Sequence, residues 1–382
     1  MPTMAGRTAF VVGIPREIKS GEFRVAGTPD CVRRLRELGC PVVVQSGAGI
    51  GSGFPDDQYR DAGAQLVDTL EAVYADADLI WKVKEILPAE FGLVEGRHII
   101  YTYLHAPPRR EMTRVLRECG CVAIAYEEMR DGDGRRFALE PMSRLAGIGA
   151  IVVAGQFCQA FQGGCGKSLF RIEGAPPLAV IILGGGVAGR AAAGAALAAG
   201  ADVVVFEKDA AAAQAVSRVL PDACVKPYTH AALNEILPAA DVLLNCTMWM
   251  PGDPHLVTRA MLGRMRERSL IVDVSADPRG AVETTEVTTH EKPVRVVDGV
   301  LHYAVQNIPS LFASTATQLL CEATWPGLER IASTGLATAL RESPELLSGV
   351  QFWQGRAVGE LLATTQGIPV ITPRQVLGEL RA

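Results

Sequence analysis

The chain has 382 residues, 48% of them hydrophobic and 21% charged, with a net charge of −5 at neutral pH. That length exceeds what one hydrophobic core serves, so two domains of roughly 150 to 200 residues are expected, and the acidic balance offers no footprint for nucleic acid or anionic lipid. Nine cysteines without a C-x-x-C pair and six scattered histidines carry no metal-ligand spacing, which points to reduced thiols and no bound metal.

The N-terminal stretch has too short an apolar run for a secretory signal. The most apolar region, Leu145 to Val153, is far short of a bilayer span. A soluble, cytoplasmic protein with no membrane contact is the expectation. From the start, β-branched runs at residues 9–15, 41–47, 78–84, 98–105 and 121–127 alternate with helical patterns. In one of these, Pro29 to Leu38, the residues Val32, Leu35 and Leu38 recur at helical spacing. This alternation is the βαβ signature of a parallel, doubly wound sheet.

Met142 to Gln162 reads as a long linking helix. The following FQGGCGKSLF, residues 161–170, ends like a phosphate loop in Gly166-Lys167-Ser168. Phe161, however, stands where the first glycine of G-x-x-x-x-G-K-[ST] belongs, and Pro176-Pro177 leaves no room for the helix that should follow. A glycine-rich connection is the better reading. A second strand series occupies residues 178–186, 201–208, 241–246, 269–276 and 294–300, so the fold class is α/β with two doubly wound, Rossmann-like domains. Past Asn307 the chain turns helical again from Thr317 to Ser333, then ends in two amphipathic segments, Val350 to Thr365 and Arg374 to Arg381. Helices at both crossings would let this C-terminal part return to the first domain.

The strongest local motif is ILGGGVAGR. Gly184, Gly186 and Gly189 form G-x-G-x-x-G directly after an apolar strand and at the mouth of an alanine-rich helix, with Val187 and Ala188 inside the turn. The glycines permit the tight turn, close approach of a pyrophosphate and close helix packing. Glu207 closes the next strand, where a carboxylate accepts both ribose hydroxyls and repels a 2′-phosphate, so NAD is favoured over NADP. Lys208 beside it weakens that exclusion slightly.

Ligands of doubly wound sheets sit outside the carboxyl ends of the strands. That rule selects Arg24, Lys84, His105 and Glu127 in the first series, and Asp277 and Asn307 in the second. An arginine can grip a carboxylate in a fork and a lysine can stabilise a carbonyl oxygen. A histidine can move the proton that accompanies a hydride, and a carboxylate can orient water or ammonia. The set suits hydride transfer to or from a small amino or 2-oxo acid.

Several separated motifs, GIPREIKSGEFRVAGTP, KVKE, YTYLHAP, PMSRLAG, GGGVAG and VQNIP, occur in one order. On them the chain resembles the alanine dehydrogenase and pyridine nucleotide transhydrogenase α-subunit family over essentially its whole length. The resemblance implies a discontinuous catalytic domain of residues 1–137 plus 312–382 and an NAD-binding domain of residues 138–311. It implies that Arg24 and Lys84 hold substrate, that His105 is the acid/base and that Asp277 lies near the nicotinamide. Met142, Ser143 and Asn307 would approach the cofactor, with Asn307 also near substrate. The implied activity is NAD-dependent dehydrogenation of a small L-amino acid to its 2-oxo acid, or the reverse amination, by a homo-oligomer, either dimer or hexamer. Reductive condensation of a 2-oxo acid with a larger amine, as in saccharopine-forming enzymes, and a nucleotide-binding transhydrogenase subunit are the alternatives. The chain departs from the alanine enzymes across residues 310–316 and at Met248-Trp249-Met250, so the substrate side chain stays open.

Overall fold

The computed structural model describes residues 10–250 and 252–381. The extreme N-terminal stretch weighed above as a signal, the start of the first expected strand and the proline after Met250 lie outside the described residues. The chain divides into two compact units, Met1–Met142 with Ala313–Ala382, and Ser143–Phe312. The strands are, in chain order, β1 (Val12–Ile14), β2 (Val42–Gln45), β3 (Gln65–Val67), β4 (Leu79–Trp81), β5 (Ile99–Thr102), β6 (Val122–Ala125), β7 (Ala179–Leu183), β8 (Asp202–Glu207), β9 (Cys224–Pro227), β10 (Val242–Asn245), β11 (Leu270–Asp273), β12 (Val294–Val297), β13 (Val300–Tyr303), β14 (Val350–Trp353), β15 (Arg356–Val358) and β16 (Val370–Ile371).

The first unit contains one nine-stranded sheet in the order β16-β15-β14-β6-β5-β4-β1-β2-β3. Strands β1 to β6 are mutually parallel and follow the doubly wound order 3-2-1-4-5-6, so the order reverses between β1 and β4. The residues of β4, β5 and β6 are buried throughout, as strands covered on both faces must be, which is why they read as unbroken apolar runs. The helix Pro29–Glu37 shows the local logic. Thr28 caps it by accepting from the Cys31 amide, Pro29 opens it, and it buries Cys31, Val32 and Leu35.

The second unit has a seven-stranded sheet, β12-β13-β11-β10-β7-β8-β9, parallel except for β12. Its core joins Val180, Ile182, Val205 and Leu244 to Ala192, Ala193 and Ala196 of the helix Val187–Ala198. Small alanines bring that helix close against the sheet.

Two expectations change. Residues 350–365 are not one amphipathic segment but β14, β15 and the helix Glu360–Gln366. Gln354 and Gly355 both adopt positive φ, 47° and 82°, and this two-residue turn folds Trp353 back on Arg356. The linking helix runs from Glu140 to Phe157, and a separate 3-10 turn covers Ala160–Gln162. In the glycine-rich connection Lys167 pairs with Asp241 at 2.6 Å. Asp241 also accepts from the amide of Ala179, so the lysine clamps the entry of the central strands, not a phosphate.

Candidate active site

In the first unit the carboxyl edge of the sheet gathers Arg24, Lys84, His105 and Glu127. Arg24 is buried and bound in a fork by Glu22, with Nε donating to Oε1 at 2.7 Å and Nη2 to Oε2 at 2.6 Å. Its Nη1 lies 3.3 Å from the sulfur of Met142, so Met142 packs on the arginine within this unit. The backbone around Arg24 is held by the helix Ala313–Thr334. Thr317 accepts from the Val25 amide and Cys321 donates to the carbonyl of Ala26. Charge pairing with Arg24 holds the Glu22 carboxyl down at about 2 although burial opposes it.

The strand expected over 78–84 ends at Trp81, and Lys84 lies beyond it. The extension is stabilised by Glu17, which accepts from the amides of Val83 and Lys84. The neighbouring Lys82 is a core ion: it meets Glu90 at 2.7 Å and Glu17 at 3.5 Å. Lys84 is only 7% exposed. Burial and the neighbouring Arg24 lower its ammonium to about 8.

His105 follows β5 in a left-handed conformation, φ 45°, uncommon for a residue with a side chain. Its ring stacks on Tyr103 with centroids 5.8 Å apart and an 8° interplanar angle. Burial first, and Lys84 second, push its basicity down to about 3. Water still reaches the ring, whose side chain is 38% exposed, and the imidazole is neutral at pH 7. Glu127 accepts from the amides of Leu104 and His105, and its Oε1 is 3.9 Å from His105 Nδ1. Burial raises the Glu127 carboxyl to about 7.

In the second unit the three glycines divide the work of the turn. Gly184 takes φ 93°. A Cβ at Gly189 would stand 1.8 Å from the Gly184 carbonyl, whereas one at Gly186 would meet nothing within 4 Å. Gly184 therefore makes the bend, Gly189 permits helix contact, and Gly186 opens room in front of the helix that Val187 and Ala188 begin. The helix N-terminus has no side-chain cap, which leaves its amides for an anion. Gly147 of the linking helix approaches the same turn, because its Cβ would lie 2.0 Å from the Ala188 carbonyl. Ser143 stands one helical turn before Gly147. Glu207 accepts from Gly185, Lys208 and Asp209 amides at 2.6, 2.8 and 2.9 Å. It braces the glycine turn from the end of β8, while Lys208 is exposed.

Asp277 follows β11, flanked by Ala276 and Arg279, both at φ 50°. Burial and the nearby Asp273 raise it to about 6. Asp273 is itself tied to Asn245, Thr285 and the Ala276 amide, a brace under the Asp277 turn. Asn307 is buried after β13, and the adjacent Gln306 donates to the Ala276 carbonyl. Met248 and Met250 are exposed, and Trp249 stacks on His255.

Sequence reasoning missed Glu22, Glu17 and Tyr103 around the first cluster and Asp273 beneath the second. The acids of PREIKSGEFR were visible, since a buried arginine demands a partner, and Glu22 stands two residues away.

Fold and site together define a protein of two doubly wound α/β units, one with a G-x-G-x-x-G turn at a helix N-terminus and the other with a cationic, histidine-bearing strand edge. The alanine dehydrogenase/PNT family models match both parts, the N-terminal domain over residues 13–146 and the C-terminal domain over residues 150–360. The chain belongs to this family. It is 36% identical to the alanine dehydrogenase of Mycobacterium tuberculosis over 372 residues, covering 96% of this chain and 99% of that one. It is 35% identical to that of Methanococcus maripaludis over 374 residues, covering 97% and 100%. Among solved structures, an L-alanine dehydrogenase matches with TM-score 0.87 and 36% identity over 93% of this chain and 98% of that chain. A transhydrogenase from Sinorhizobium meliloti matches with TM-score 0.77 and 26% identity over 91% and 98%.

Proposed function

We propose that this protein catalyses the NAD-dependent oxidative deamination of a small L-amino acid to its 2-oxo acid and ammonia, and the reverse reductive amination. The observation that carries the reading is the cluster of Arg24, Lys84 and His105 at the carboxyl edge of the first sheet, two cations and a neutral base in a fold whose other unit carries a nucleotide turn. A protein that only carried nucleotide would need no carboxylate grip.

NAD, when bound, supplies the hydride acceptor. Gly184, Gly186, Gly189, Val187 and Ala188 would take its pyrophosphate, Glu207 its adenosine ribose, and Ser143, Asp277 and Asn307 its nicotinamide end. Met142, which packs on Arg24, would approach the cofactor from beside that arginine. Arg24, aimed by Glu22, binds the substrate carboxylate. Lys84 polarises the carbonyl oxygen of the 2-oxo acid and stabilises the charge that grows on oxygen as the carbinolamine forms. His105, neutral and stacked on Tyr103, removes the proton from the substrate heteroatom in deamination and returns it in amination. Asp277 would orient the water or ammonia. The substrate is a small molecule, and among the described residues no helix is long and apolar enough to cross a membrane. We assign the protein to the cytoplasm as a homo-oligomer.

The test is oxidation of NADH or NADPH with a panel of 2-oxo acids, ammonia and larger amines. The reading expects turnover with ammonia and NADH. Turnover only with larger amines would replace it by reductive condensation, and none with any pair would favour the nucleotide carrier.

A further inference from the structure

His105 does not hold its backbone conformation unaided. The peptides on both sides of its α-carbon are gripped by side chains from different parts of the first unit. On the N-terminal side Glu127 takes the Leu104 amide at 3.2 Å with Oε2 and the His105 amide at 2.5 Å with Oε1. On the C-terminal side Arg109 donates from Nη1 to the His105 carbonyl at 2.7 Å. The same arginine is fixed by its other nitrogen, which donates to Glu85 at 2.6 Å, and Glu85 is anchored in turn by Lys19 at 2.7 Å. Glu85 and Glu127 are buried. The two flanking peptides are held by one hydrogen bond each, and the Leu104 amide holds the peptide before them, so φ and ψ of His105 are both fixed; a left-handed φ persists only where the surroundings over-determine it.

The ring itself is restrained otherwise. Tyr103 lies parallel to it and is pinned by its hydroxyl to the Ala138 carbonyl at 2.6 Å. The 3.9 Å from Glu127 to Nδ1 exceeds a hydrogen bond, so Glu127 acts on the imidazole through the main chain.

We propose that Glu127 and Arg109 are positioning residues that fix the His105 peptides and so set where its imidazole points during proton transfer. This rests on His105 as the acid/base. A misplacement of about 1 Å at a reacting group can cost roughly 10²-fold in rate, so loosening either anchor should be felt in kcat and not in substrate affinity.

The experiment uses the full chain with Glu127→Gln, Arg109→Lys and Arg109→Ala. Glutamine keeps one acceptor and turns an NH2 toward one of the two amides. Lysine can serve the His105 carbonyl or Glu85 but not both in the fork geometry. We expect kcat to fall about tenfold to 10²-fold, with the 2-oxo acid KM and NADH dissociation constant within about twofold, and Arg109→Lys recovering part of the Arg109→Ala loss. The solvent deuterium isotope effect on kcat should rise, because proton transfer at His105 then limits turnover. Loss of kcat with an unchanged isotope effect means fewer active molecules and overturns the proposal, as does unchanged kcat in all three. If Glu127→Gln does not fold, the arginine variants decide alone. Full activity in His105→Ala would remove the underlying reading and the proposal with it, whereas loss there with intact anchor variants would overturn the positioning alone.

Discussion

Glu22 binds Arg24 through two nitrogens at once, at 2.7 and 2.6 Å, inside the protein. The guanidinium is thereby aimed before any substrate arrives, and its orientation is part of the fold and not of binding. A buried charge that loses its partner costs about 3 to 5 kcal/mol. Arg24→Ala should therefore lower the melting temperature as well as kcat/KM. Arg24→Lys keeps the charge but not the fork, so it should preserve more stability while losing at least about tenfold in kcat/KM, with NADH affinity unchanged. Paired kinetics and melting curves check this, and kcat/KM within about threefold for Arg24→Ala would show that the residue does not bind substrate.

Acid should unfold the protein partly through Glu22 and Glu85. Both carboxyls are lowered from 4.5 to about 2 in the fold by their cations. The unfolded chain then binds more protons between those values, so their stabilisation is complete above pH 4.5 and is lost as pH falls toward 2. Glu127 has the opposite sign. Its carboxyl rises from 4.5 to about 7, so its contribution favours the fold at low pH and is lost as pH climbs through that interval. Melting temperature against pH should be flatter below pH 4.5 in Glu22→Gln and flatter between 4.5 and 7 in Glu127→Gln. Curves parallel to the parent protein's would contradict both assignments.

The parts of this molecule carried by short-range pattern could be read from sequence, and the parts carried by side-chain reach could not. The turn at Gly184, Gly186 and Gly189 was legible because strand, glycines and helix follow one another directly. The place of His105 and Arg24 beyond strand ends was legible because the apolar runs before them mark those ends. The anchors of His105 were not, since Arg109 and Glu127 stand 4 and 22 residues away and meet it only after folding. Lys167 and Asp241 are 74 residues apart. Residues 350–365 read as one amphipathic segment, which the Gln354-Gly355 turn splits because its positive φ values reverse the chain there.

The coenzyme preference should depend on Glu207 in two ways. Its carboxylate braces Gly185 at 2.6 Å and would repel a 2′-phosphate. Glu207→Ala should narrow the NAD over NADP preference and also weaken NADH binding, because the glycine turn loses its brace. Dissociation constants for both reduced coenzymes check this. An undiminished preference in the variant would transfer discrimination elsewhere.

Lys167 should matter for stability alone. Removing it leaves Asp241 with Arg266 at 3.2 Å and the Ala179 amide, so Lys167→Ala should cost about 1 to 3 kcal/mol with kcat unaltered. Denaturant unfolding beside steady-state kinetics reads this out. A large fall in kcat at unchanged stability would mean the lysine serves the reaction.

The most direct measurement follows the hydride. L-amino acid deuterated at the α-carbon is turned over with NAD, and the reduced coenzyme is analysed by mass and NMR for deuterium at the nicotinamide C4. One deuterium per turnover is expected, transferred without exchange with solvent, together with release of one ammonia and one 2-oxo acid. Reduced coenzyme carrying only protium from water, or ammonia released without coenzyme reduction, would contradict it.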